Sequence, residues 1–70
     1  MAKHLSEMID AFLRKQGADA RMMFVRRYFY GQSVSEIARA GGIGESRVKV
    51  TLFRMRGRLR ELLKKEGYVW

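Results

Sequence analysis

Between Ser46 and Arg60 the chain carries six cations, Arg47, Lys49, Arg54, Arg56, Arg58 and Arg60, and no acid. Guanidinium and ammonium groups at this density donate hydrogen bonds and neutralise phosphates, and with no histidine or carboxylate among them they supply no general base. The chemistry they can do is binding. A face that meets only solvent mixes both signs of charge, so a one-signed segment points first to nucleic acid and second to an anionic membrane or an acidic protein.

The other reactive side chains are too isolated for catalysis. His4 lies near a terminus with no carboxylate in a recognisable relation to it, and Ser33, Ser35 and Ser46 have no histidine base at a nucleophile spacing. Glu36 and Glu45 are single carboxylates at helix starts, where the helix dipole accounts for them. No catalytic residue is expected, and the chain reads as a binding protein and not an enzyme. With no cysteine and one histidine, a disulfide is impossible and a His/Cys zinc site cannot be assembled, so neither metal nor cofactor is expected.

Length and composition narrow the frame that must hold the cations. Seventy residues carry 15 Lys plus Arg against 7 Asp plus Glu, a formal net charge of +8, yet 47% of the residues are hydrophobic. That is too apolar for a disordered polycation, and the length suits one small core, so residues 1–70 are expected to form a single domain. No apolar run approaches the ~18 to 20 residues of a membrane span. Lys3 and His4 lead into an amphipathic stretch and not into the apolar centre of a signal peptide. A cytoplasmic location and no membrane partner are therefore expected.

Without proline, and with glycines at 17, 31, 41, 42, 44, 57 and 67, the sequence predicts helices separated by short breaks. Leu5, Met8, Ile9, Phe12 and Leu13 form the stripe of a first helix over about 5–16. Asp19 is placed to cap a second, about 19–30, whose apolar set is Ala20, Met23, Phe24 and Tyr28, widened by Met22, Val25 and Phe29. Phe12, Phe24, Tyr28, Phe29 and the five methionines are expected in the core. Ser33 and Glu36 have the spacing of a capping box, which starts a third helix over about 34–40. The fourth, about 45–66, has Val48, Leu52, Met55, Leu59, Leu62 and Leu63 on its core side. At about 100° per residue, Ser46, Lys49, Val50, Phe53, Arg54 and Gly57 fall opposite, flanked by Arg47, Arg56, Arg58 and Arg60. The tail Tyr68, Val69 and Trp70 is apolar and suited either to folding back on the bundle or to a partner.

The third and fourth helices together have the pattern of a helix-turn-helix. Two helices crossing steeply need a small residue in the first, a glycine in the turn and a branched apolar plug in the second. Ala38, Gly42 and Val48 stand at those places, with Ile37 and Ile43 completing the contacts. The expected architecture is thus all-α, a small four-helix bundle with a C-terminal helix-turn-helix that offers the start of the fourth helix to a major groove.

The stretches Arg21-Met-Met-Phe-Val-Arg-Arg-Tyr, Ser33-Val-Ser-Glu-Ile-Ala, Gly42-Ile-Gly-Glu-Ser-Arg-Val-Lys and Leu52-Phe-Arg-Met-Arg-Gly-Arg-Leu-Arg resemble region 4 of bacterial sigma-70-family RNA polymerase sigma factors, most closely the short extracytoplasmic-function branch. The resemblance spans roughly residues 5 to 66. It implies transcription initiation as the process, double-stranded promoter DNA as a partner through the minus-35 element, and RNA polymerase core as a second partner through the flap of its β subunit. It also admits an anti-sigma protein, which would cover the same surfaces.

By position, the resemblance puts Glu45, Ser46 and Arg47 at the start of the recognition helix, and Lys49, Val50, Phe53 and Arg54 at the next base-reading and phosphate-gripping places. Arg56 is expected to hold phosphate, as is Arg39 from the first helix of the pair. Val50 stands where the family often has a small polar residue, so its contact is expected to be apolar. Gly44 replaces the usual Ser or Pro, a weaker cap. Nothing resembles region 2, which melts the minus-10 element, so the chain is expected to be a piece of a longer factor.

Two other readings share part of this evidence. A LuxR-type response-regulator output domain or a small dimeric repressor has the same DNA chemistry but needs a two-fold dimer on a palindromic site. A basic amphipathic bundle lying on anionic membrane would leave the helix-turn-helix details coincidental. The sigma-like reading predicts a monomer in sedimentation, whereas a stable dimer at micromolar concentration would favour the repressor.

Overall fold

The apolar stripes separated by glycine breaks become four α-helices in the computed structural model, which describes residues 2–68: α1 (Ala2–Arg14), α2 (Ala18–Tyr28), α3 (Val34–Gly41) and α4 (Glu45–Lys65). Among the described residues there is no strand. All four helices contribute to one core of Phe12, Leu13, Met23, Phe24, Ile37, Ala38, Val48, Leu52, Met55, Leu59 and Leu63. The side chains of Met23, Ile37, Val48 and Met55 are almost wholly enclosed. Five of the six apolar positions expected on α4 are buried, and Leu62 packs against the core at its edge.

The helix ends depart from the periodicity, because local hydrogen bonds set them. The backbone of α1 is helical from Ala2, before the first residue of the stripe. It stops at Arg14 as the amides of Lys15 and Gln16 turn to the carbonyls of Phe12 and Leu13, and the Gln16 side chain donates to Phe12 O at 3.1 Å. Asp19 does not cap α2. The N-cap is Gly17, with no side-chain bond, and Asp19 lies inside the first turn, where its charge still suits the dipole.

Tyr28 and Phe29 are not core residues, as the second stripe suggested. They are 45% and 64% exposed. The regular helix ends at Tyr28, after which the Tyr30 and Gln32 amides reach back to Val25 and Arg26, and Gly31 takes a positive φ of 66°. Arg26 and Arg27 then hold Gln32, the first on its side-chain oxygen at 3.3 Å and the second on its carbonyl at 2.9 Å. These bonds fix the connection into α3. Of the methionines, Met23 and Met55 are buried while Met8 and Met22 pack at the core's edge; Met1 lies outside the described residues. At the other terminus Tyr68 folds back against the core, its ring 6.3 Å from that of His4, and Val69 and Trp70 lie outside the described residues.

Two glycines show how conformation decides the sign of one substitution. Gly42 has φ +64°, whereas Gly57 sits within α4, and an added Cβ meets nothing within 4 Å at either. Gly42→Ala is expected to lower stability by about 1 to 2 kcal/mol through left-handed strain. Gly57→Ala is expected to raise it by about 0.5 to 1 kcal/mol through reduced chain entropy. Thermal unfolding of the two variants beside the parent chain measures both.

Candidate nucleic-acid interface

The capping box is formed in full. Glu36 N donates to Ser33 Oγ at 3.0 Å, and Ser33 N donates to Glu36 Oε1 at 2.8 Å. Donation to the Glu36 carboxyl from the Ser33 backbone first, and from the Ser33 hydroxyl second, holds it below the usual glutamate range, and the nearby positive charge of Arg39 acts in the same direction. So anchored, α3 runs only eight residues before Gly42 closes it in the left-handed conformation, its amide reaching the carbonyls of Ala38 and Arg39. The Ile43 amide also bonds Ala38 O at 3.0 Å. Ala38 is buried at the crossing and Val48 has no exposure at all. The small residue, turn glycine and branched plug of a helix-turn-helix are thus all in place, and they fix how the first turns of α4 emerge.

Those turns put the expected cluster on one side. Val48 and Leu52 point into the core, which leaves Ser46, Arg47, Lys49, Val50, Phe53 and Arg54 exposed. Glu45 is exposed in the first turn. Gly44 caps α4 through backbone geometry alone, with no side-chain bond, so its forward-facing amides stay open to an acceptor. Arg47 lies 4.0 Å from the Asp19 carboxylate, both groups being largely exposed. Among the described residues, Lys49, Arg54, Arg56, Arg58 and Arg60 have no ion-pair partner. Arg39 is exposed on the last turn of α3, on the other helix of the pair.

Further along, two cations are tied to other helices. Arg56 Nη1 donates to the Tyr28 hydroxyl at 3.2 Å and Arg58 Nη1 to Gln16 Oε1 at 3.4 Å. Both bonds join residues distant in sequence, so spacing along α4 gave no sign of them. Both side chains remain exposed, and the bonds hold the cations along the flanks of α4.

A second surface includes two residues expected in the core. Tyr28, Phe29 and Tyr30 are consecutive exposed aromatics, and Tyr28 and Phe29 border an apolar depression with Ile9, Phe24, Leu59 and the side chain of Arg56. Phe29 also borders the groove along α1 with Leu5, Ile9 and Leu13. The available signal was three successive aromatics just before a glycine, since successive positions on a helix end cannot all face one core.

Among the described residues no group of three or more His, Cys, Asp or Glu side chains could hold a metal ion. No helix there is long and apolar enough to cross a membrane.

A helix-turn-helix whose second helix carries an exposed, one-signed cationic side defines a DNA-binding domain. Residues 6–59 match the family described as sigma-70, region 4, and the chain belongs to that family, whose members bind DNA in transcription initiation. No curated protein and no solved structure matches it.

The capping box has a titratable consequence. A carboxylate whose folded-state pKa is lowered contributes stability that is fully present above the ordinary glutamate range and is lost as the pH falls through the lowered value. The parent chain is therefore expected to lose more melting temperature between pH 6 and pH 3 than Glu36→Gln, whose amide keeps the box without titrating. Ser33→Ala, which removes the cap itself, is expected to cost about 1 kcal/mol at pH 7.

Proposed function

We propose that this domain reads the promoter minus-35 element with the N-terminal half of α4 and docks on the flap of the RNA polymerase β subunit through a separate surface. The observation that carries the DNA reading is the cation face of α4 on the protruding helix of a helix-turn-helix, within a sigma-70 region 4 sequence. Glu45, Ser46, Lys49, Val50, Phe53 and Arg54 meet base edges and the nearest phosphates. Arg47, Arg56 and Arg39 grip the backbone to either side. Arginine and lysine donate to guanine, while the phosphate contacts fix register.

Polymerase contact falls to the apolar and aromatic residues of α1 and α2 and to the C-terminal half of α4. Exposed Phe29 and Tyr30, at 64% and 72%, supply the aromatic anchors that protein interfaces favour. The two surfaces adjoin at Arg56, whose guanidinium donates to the Tyr28 hydroxyl, and one copy of the domain serves each promoter. An anti-sigma protein would act by covering these surfaces.

The test is selection of bound duplexes from a random pool, followed by affinity measurement across salt concentration. Each phosphate contact adds roughly −0.9 to the slope of log K against log salt. Lys49→Ala and Arg54→Ala are each expected to weaken the selected duplex by about 1 to 3 kcal/mol where the contact is to a base, or to reduce the slope by about one unit where it is to phosphate. Losses below a few tenths of a kcal/mol for both, with unchanged slopes, would remove this face from the assignment.

A further inference from the structure

We infer that Val50 is a specificity determinant that reads the C5-methyl group of a pyrimidine, thymine in ordinary DNA, in the major groove. This rests on the proposal that α4 enters that groove.

Val50 lies in the middle of the cationic side and is 48% exposed, and Phe53, one turn further on, is 71% exposed. On a helix surface the residues three and four positions away are neighbours, so Val50 is surrounded by Ser46, Arg47, Phe53 and Arg54. Neither Val50 nor Phe53 belongs to the core or packs at its edge. Single exposed apolar residues are ordinary, but these two are adjacent within a face otherwise built to hold a polyanion. A β-branched side chain is also a weaker helix former than the straight-chain residues that would suit a solvated position. Fold stability therefore gives no reason for Val50.

What it can recognise follows from its chemistry. Valine has no side-chain donor or acceptor, so it cannot read the hydrogen-bonding edge of any base. The apolar group that an unmodified base pair presents in the major groove is the thymine methyl. Arg54 and Lys49 on adjoining positions can hold the phosphates that bring the helix close enough for Val50 and Phe53 to enclose that methyl and exclude water from it. A small polar residue at this position would accept several bases, whereas valine favours one that carries a methyl.

Replacing thymine by uracil removes the methyl and nothing else. In the duplex selected by the domain, thymines replaced one at a time by uracil are expected to be neutral except at one or two neighbouring positions, where affinity falls about fourfold, the effect of one buried methyl-sized group. At that position a 5-methylcytosine duplex should bind more tightly than its cytosine counterpart. Val50→Ser, at an exposed site where helicity by circular dichroism should persist, is expected to abolish the thymine-to-uracil difference, and Val50→Ile to retain it. Salt-dependent, sequence-selective binding in which every uracil replacement is neutral, or in which the difference survives Val50→Ser unchanged, would overturn the role of Val50 and leave the DNA interface standing. Absence of sequence-selective binding would overturn both.

Discussion

The crossing of α3 over α4 is the constraint on which the rest of the structure depends. Ala38 is small enough to let the helices approach, Gly42 turns the chain at φ +64°, and Val48 fills the space with no exposure. Ile37, equally enclosed, belongs to the same core. Because interiors pack near crystalline density, these side chains leave little freedom in the angle between the helices. That angle decides whether the outer side of α4 protrudes or lies against its neighbours. A charged surface without it would attract DNA but hold no register.

The same helix meets two opposed demands. Val48, Leu52, Met55, Leu59 and Leu63 hold the bundle together, while on the other side the cations from Arg47 to Arg60 are exposed. Repulsion within that one-signed face works against the compact state, and apolar burial along the whole length of α4 offsets it. The cations of the domain are not interchangeable. Arg26 and Arg27 are engaged with Gln32 in shaping the entry to α3, and Arg56 and Arg58 reach across to Tyr28 and Gln16.

Much of this was legible in the sequence, for reasons that differ by element. The core side of α4 was readable because one period persists over many turns, and its exposed side followed by elimination. The capping box was readable because its chemistry lies within four residues. Asp19 was misjudged as a cap because several small or polar residues near a helix start can serve, and Gly17 took the place through backbone geometry alone. Tyr28 and Phe29 continued an apolar stripe, but the helix itself stopped, with Gly31 just beyond. The Arg56 to Tyr28 bond joins residues that only the tertiary packing brings together. Hence the exposed side of α4 was readable from its period, while the exposure of Tyr28 and Phe29 beside α1 depends on where α2 ends.

In the proposed function, one small bundle offers two surfaces, a cationic one for DNA and an aromatic one for polymerase. An amide NMR titration of the domain at low salt, first with an isolated β-flap fragment and then with a selected duplex, tests it most directly. Flap-induced shifts are expected on α1, on α2 with Phe29 and Tyr30 just beyond it, and on the C-terminal half of α4, then duplex-induced shifts concentrated on Glu45 to Arg54. Flap-induced shifts centred on Glu45 to Arg54, or none at all together with self-association of the domain, would contradict it.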